Sequence, residues 1–419
     1  VTTRADCLAL DAQDPLRGLR EQFALPEGLI YLDGNSLGVR PRATAARVAE
    51  VVEQEWGEQL IQSWNSAGWI TLPQRMGDQI APLVGASAGE LVVADSTSVN
   101  LFKVLSAALS IVQADAPQRR VIVSERSNFP TDLYIAEALA HERGCTLVLV
   151  DEPAHIVPRL CDDVALLMLT QANYRSGRLH DMAALTQAAH AVGALAVWDL
   201  AHSAGALPVD LNGANADFAV GCGYKYLNGG PGAPAFVWAH ARHAERFWQP
   251  LAGWMGHAAP FDFTPGYRPA AGIQRYLCGT PSVLAMSALE CGVTSVRAAD
   301  ALGGMAALRA KSLALGDLFI ALVDSRCAGH GLELVTPREH AQRGSQVSLA
   351  RGDGAHAIVQ ALIARRVVGD FRAPDILRFG LTPLYLGFTE VWDAVEALRQ
   401  VLESGEWRGA RFQVKAAVT

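Results

Sequence analysis

The chain has 419 residues, half of them apolar and 18% charged, with a formal net charge of −7. That length allows two or three domains and a large buried core. An acidic balance without any Lys/Arg cluster argues against nucleic acid or an anionic membrane as the main partner, but leaves small anions open to a local positive site.

The opening stretch "VTTRADCLALDAQD" mixes charges of both signs and does not read as a secretory signal, and no apolar run of membrane-spanning length is expected after it. Seven cysteines, at positions 7, 145, 161, 222, 278, 291 and 327, are odd in number and lack CxxC spacing. They predict reduced thiols in a cytoplasmic protein, with no disulfide framework and no metal site.

In "VVADSTSVNLFKVLSAALSIV", Ser96, Thr97 and Ser98 open a helix. Their hydroxyls and the free backbone N–H groups favour a phosphate. Short apolar runs follow at 120–125, 145–150, 164–170, 194–200, 217–223 and 234–239. Helical patterns such as "TDLYIAEALAHERG" and "DMAALTQAAHAVG" separate the early ones, each ending on glycine as a helix stop. Continuous apolar strands suit a sheet covered on both faces, so this rhythm predicts a mostly parallel sheet in an α/β domain over about 50–285. From 286 to 419 a long helical pattern (282–325), short strands ("SQVSLA", "ILRFGL") and a last helix ("EVWDAVEALRQVLESG") predict a smaller α+β domain. The segment 1–50 is expected to pack with it.

Ligands of open α/β sheets bind beyond the carboxyl ends of the strands. "VWDLAHSAG" ends one such strand at Asp199, with His202 just after, and "GCGYKYLNGGPG" ends the next with Lys225. A lysine withdrawn from water, a carboxylate at a strand end and a phosphate-ready helix together describe a site for pyridoxal 5′-phosphate (PLP). That cofactor's aldehyde needs an amine, its ring nitrogen an acid, and its phosphate a helix terminus. Alone, Asp199 would read as a turn cap, His202 as a core histidine and Lys225 as a snorkelling surface residue; their order and spacing favour the site. "GGPGAPA" fits the loose dinucleotide fingerprint, but a β-run rather than a helix follows it.

"YLDGNSLG", "VWDLAHSAG", "GYKYLNGGPGAPAFVW", "LAGWMGH" and "RFGLTPLYLGF" closely resemble kynureninases, fold-type I PLP enzymes of the aminotransferase class V group, over about residues 30–390. The resemblance implies a seven-stranded sheet, PLP as cofactor, and hydrolysis of L-kynurenine, or its 3-hydroxy form, to anthranilate or 3-hydroxyanthranilate plus L-alanine in tryptophan catabolism and NAD biosynthesis. It implies that Lys225 bonds the cofactor aldehyde, that Asp199 pairs with the ring nitrogen, and that His202 lies close to the ring. Tyr224 takes phosphate and protons, Thr97 and Ser98 hold phosphate, and Phe129 stacks on the ring. Asp132 faces the ring hydroxyl, and Thr170 lies beside the cofactor. Trp254 and Thr280 reach the phosphate of a neighbouring subunit, making a homodimer with shared active sites. Arg378 clamps the substrate carboxylate, with Gly34 and Ser36 in a turn on that side and Trp64 against the substrate ring. The competing readings are a desulfurase using Cys327, an aminotransferase, or a non-catalytic amino-acid sensor.

Overall fold

The computed structural model describes residues 2–246 and 249–414; the outermost ends of the first and last predicted segments, residue 1 and residues 415–419, lie outside them. After a two-residue strand β1 (Ile30–Tyr31), the strands β2 (Leu91–Val93), β3 (Val121–Glu125), β4 (Thr146–Val150), β5 (Val164–Thr170), β6 (Leu195–Asp199), β7 (Phe218–Gly221) and β8 (Phe236–Ala239) follow in chain order. β2 to β8 form one sheet in the order β2-β8-β7-β6-β5-β3-β4. Pairing is parallel from β4 through β7, and β8 runs antiparallel to both β7 and β2. β2, which is only three residues long, was too short to stand out as an apolar run.

All seven residues of β5 are buried. Val164, Leu167 and Leu169 join one hydrophobic cluster, and Ala165, Leu166 and Met168 the other, so the sheet is packed on both faces. Trp198, fully buried one residue before Asp199, donates its Nε1–H to Thr186 Oγ1 at 3.1 Å. Truncating such a side chain costs about 3–5 kcal/mol. Parallel strands all end on one edge, and the register pairs Thr170 with Asp199 there.

One expectation needs correcting. The helix Thr97–Asp115 is long and apolar enough, by length and composition, to cross a membrane, although no such stretch was expected. Here it is a core helix, with Leu101, Val104, Leu105 and Ala108 fully buried against the sheet. The long pattern at 282–325 is two helices, Val283–Arg297 and Gly304–Arg326. Gly303 and Gly304, at φ +99° and +60°, take a left-handed conformation that breaks the helix between them.

The C-terminal layer is built on β9 (Glu333–Leu334), β10 (Gln346–Ala350), β11 (Val367–Val368), β12 (Asp370–Arg372) and β13 (Ile376–Gly380). Four of them form an antiparallel sheet ordered β12-β13-β10-β9, while β11 pairs in parallel with β1. The Asp11 carboxylate accepts from the backbone N–H groups of Phe388 (2.6 Å) and Thr389 (3.0 Å), capping the last helix, Phe388–Ser404. The N-terminal segment is thereby tied to that last helix.

Candidate active site

Lys225 follows β7 in a loop closed on itself, with Gly229 N–H donating to Gly223 C=O (2.9 Å) and Asn228 N–H to Lys225 C=O (3.0 Å). The N-terminal segment presses on this loop. Gly38 N–H donates to Tyr224 C=O at 2.7 Å, and a Cβ on Gly38 would stand 2.3 Å from Lys225 O, so only glycine permits that approach. The loop is therefore held from both sides, and Lys225 points at the sheet edge.

There its Nζ lies 2.9 Å from His202 Nε2. Burial lowers the Lys225 pKa from its ordinary value, favouring the neutral, nucleophilic amine. Burial, then the Lys225 charge, push His202 well below the usual histidine range, so its imidazole is neutral. Either the amine or the imidazole can donate across this contact, and Nδ1 is buried without a hydrogen-bond partner among the described residues. Asp199 accepts from Ala201 N–H at 2.7 Å. Burial raises both Asp199 and Asp132, and the charge of Asp199 raises Asp132 further still. Of the two carboxyls, Asp132 is the one pushed harder toward its protonated form. Burial, with Cys222 and Asp199, pushes the Tyr224 phenol up to about 12, so it keeps its proton at neutral pH. Phe129 precedes the helix Pro130–Arg143, its ring centroid 6.0 Å from Lys225 Nζ and 5.3 Å, edge-on, from Tyr174. Thr170 Oγ1 donates to Asn128 Oδ1, which also accepts from Phe129 N–H at 2.6 Å.

Beside this cluster lies a cavity of about 440 Å³, lined by Asp95, Ser96, Thr97, Tyr224, Thr280 and the 277–282 segment among others. The Ser96 hydroxyl caps the helix by accepting from Val99 N–H (3.3 Å), whereas Thr97 Oγ1 is buried without a hydrogen-bond partner among the described residues. Thr97 and Ser98 are the first two residues of a 19-residue helix whose free N–H groups attract an anion.

A third group gathers around Arg378 on β13, whose side chain is only 1% exposed. Its guanidinium donates to Asp370 (2.5 Å), Ser36 Oγ (2.6 Å) and Tyr174 C=O (2.8 Å), while Nε finds no partner among the described residues. That leaves a donor for a carboxylate oxygen. Arg372 reaches Ser36 Oγ (3.3 Å) and Asp370 (2.8 Å). Asp33 stands 4.0 Å from Arg378 Nη2, and burial and Asp370 raise its carboxyl to about 7. Gly34 lets this turn pass the Tyr385 hydroxyl, which would sit 2.2 Å from an added Cβ.

The structure thus brings Lys225, His202, Asp199, Asp132, Tyr224, Thr170 and Phe129 together, with Thr97, Ser98 and Thr280 at one end and Arg378 and Ser36 at the other. Trp64 and Trp254 stand apart from them. Their rings pack edge-on at 5.8 Å in an open groove with Ile61, Ile70, Phe261 and Phe263. Thr280 lines the cavity of its own chain. Sequence reading missed Asp33, Arg372, Asp370 and Asn128, which carry no motif spacing, although Asp33 lies in "YLDGNSLG" and Asn128 directly precedes Phe129. Cys327 is buried, and burial raises its thiol to about 11, which removes it as a ready nucleophile. The donor set fits PLP: an unspent hydroxyl at a helix N-terminus, a lysine of lowered pKa, a carboxylate pair and a neutral histidine.

A family model described as Kynureninase C-terminal domain matches residues 308–398. The chain is 58% identical over 419 residues to a kynureninase of Burkholderia pseudomallei (strain K96243), covering all of both chains. It is 58% identical over 421 residues to a kynureninase of Pseudomonas fluorescens, again end to end. Among solved structures, the apo cysteine desulfurase of Thermococcus onnurineus NA1 matches with a TM-score of 0.78 and 18% identity, over 92% of this chain and 98% of that one. A C-DES variant with glycine covalently linked to its PLP cofactor matches with a TM-score of 0.79 and 15% identity, over 91% and 98%. At such identities the structural matches speak for the fold.

Proposed function

The chain belongs to the kynureninase family of PLP-dependent hydrolases, and from that premise we propose that it hydrolyses the β,γ carbon–carbon bond of L-kynurenine to anthranilate and L-alanine. The observation that carries the residue assignments is the meeting at Lys225 of a buried histidine, two buried carboxyls and, across the site, a buried arginine with an unspent donor.

Thr97, Ser98 and Tyr224 hold the phosphate in this reading, Asp199 the ring nitrogen, Asp132 the ring hydroxyl side, and Phe129, Thr170 and His202 the ring itself. When bound, PLP supplies a carbonyl that takes an amine and a protonated ring that accepts an electron pair. Lys225 takes the proton from the substrate α-carbon; burial lowers its pKa and so favours the free amine that can act as a base. Arg378 grips the substrate α-carboxylate with its free Nε–H as one arm and, as the other, an Nη2–H turned from Ser36, the geometry that favours Arg over Lys. Asp370 and the Tyr174 carbonyl hold the guanidinium in plane for that grip. The Tyr224 phenol, protonated at neutral pH, donates to oxygen at the γ-carbonyl as water adds there. Proton return to the alanine fragment falls to Lys225.

We further propose a cytoplasmic homodimer. The exposed Ile61, Phe261 and Phe263 beside Trp64 and Trp254 form an apolar face suited to a second copy, which would receive Trp254 at its phosphate. The test mixes purified protein, PLP and L-kynurenine and follows anthranilate fluorescence with alanine in parallel. Equal release of both products supports hydrolysis; a cofactor spectral shift without anthranilate refutes the substrate. The same assay with 3-hydroxykynurenine settles ring preference.

A further inference from the structure

The helix that begins at Thr97 carries, two turns in, a lysine whose side chain is fully buried. A buried ammonium is costly unless paired. Lys103 is paired twice: its Nζ donates to the Asp95 carboxylate and, at 2.6 Å, to the carbonyl of Tyr276. Both partners bear on the cavity assigned to the phosphate. Asp95 immediately precedes the capping Ser96 and lines that cavity, its side chain 34% exposed. Tyr276 leads directly into the 277–282 segment, which forms the facing wall.

The Asp95 backbone is held in the left-handed region, φ +46°, which is unusual for a non-glycine residue. Three contacts keep it there. Ala235 N–H donates to Asp95 C=O (2.8 Å), Asn100 donates its side-chain N–H to Ala94 C=O (2.7 Å), and Lys103 grips the carboxylate. A glycine would adopt this turn without restraint, whereas aspartate ties it to the helix interior. Aspartate also puts a negative charge at the edge of an anion site, and Lys103 cancels it from behind.

We propose that Lys103 is a positioning residue for the cofactor phosphate. It neutralises Asp95 and, by holding Asp95 and the Tyr276 carbonyl on one ammonium, fixes the gap between the Thr97 helix terminus and the 277–282 wall. This rests on the reading that the cavity takes the phosphate of PLP.

The test uses full-length apoenzyme titrated with PLP and with pyridoxal, which lacks the phosphate, following the lysine–cofactor absorbance band and tryptophan fluorescence. Thermal unfolding with inorganic phosphate gives a second readout, independent of turnover. Lys103→Met should weaken PLP by about tenfold or more, leave pyridoxal within about twofold, and abolish stabilisation by phosphate. Asp95→Asn combined with Lys103→Met should recover most of the loss, because a neutral amide no longer repels the dianion. Equal weakening of PLP and pyridoxal, or no rescue by the second change, overturns the proposal and leaves Lys103 a structural strut. If Lys103→Met does not fold, Asp95→Asn alone decides: the ratio of PLP to pyridoxal affinity should hold or rise, and a fall overturns the proposal. A wild-type protein that binds PLP and pyridoxal equally would instead refute the phosphate cavity itself.

Discussion

Arg378→Lys isolates the proposed grip on the substrate carboxylate. The wild-type side chain is 1% exposed and directs donors to Asp370, Ser36 and Tyr174, leaving Nε for the ligand. Lysine keeps the charge opposite Asp370, so the variant avoids the roughly 3–5 kcal/mol penalty of stranding a buried carboxylate, which Arg378→Ala would incur. It cannot keep two parallel N–H donors. A hydrogen bond to a charged group is worth about 1.5–3 kcal/mol, so losing one arm raises KM by about 10- to 150-fold. The assay is steady-state anthranilate fluorescence across kynurenine concentrations, on protein whose cofactor spectrum and unfolding midpoint match wild type. Kynuramine, the decarboxylated analogue, is the control: its binding, read from the cofactor spectrum, should be the same in both proteins. A folded Arg378→Lys variant with unchanged KM for kynurenine refutes the clamp.

Other perturbations follow from the same geometry. Lys225→Ala should abolish turnover while PLP stays bound without its lysine-linked absorbance; normal activity in that variant sinks the assignment of Lys225. Asp33, raised to about 7 chiefly by burial, holds its proton more tightly in the folded state. Its contribution to stability is therefore fully present below about pH 4 and is lost as pH rises through 7. Asp33→Asn removes that loss, so its unfolding midpoint should gain on wild type between pH 5 and about pH 8, and a constant difference contradicts the raised carboxyl. Burial opposes charge on Asp217, but His190 (2.7 Å), His243 (2.8 Å), Ala196 N–H (2.7 Å) and Arg242 hold its carboxyl well below the usual range. Asp217→Ala should cost about 3–5 kcal/mol in denaturant unfolding and leave kcat per folded molecule intact, since the partners of Asp217 (His190, His243, Arg242 and Ala196) are not among the residues gathered at Lys225.

Much of the site was legible because its chemistry coincides with local pattern. Asp199 and Lys225 each end an apolar run, and in a parallel sheet every such end falls on one edge, so two one-dimensional signals imply a shared location. Ser96, Thr97 and Ser98 were readable for a similar reason, since helix N-termini are written in short polar side chains and take anions without distant help. The order of these parts was enough to name PLP, and the stretches around them enough to suggest the family.

The carboxylate end could not be reached that way. Ser36 and Arg378 lie at opposite ends of the chain and meet only because Gly38 docks on the Lys225 loop and β1 pairs with β11. Asp33 looks like an ordinary surface aspartate until burial raises its proton affinity, and Asp370 until packing sets it against Arg378. The helix at 282–325 read as continuous because its apolar pattern crosses Gly303 and Gly304, whose positive φ breaks it. Lys103 lies within an apolar helical stretch, and only packing shows its ammonium spanning Asp95 and Tyr276. Local sequence patterns specify which residues can do the chemistry and on which sheet edge they gather, because strand ends and helix starts are local. Tertiary structure alone decided which charges face one another, because the energy of a buried charge depends on neighbours that sequence distance does not reveal.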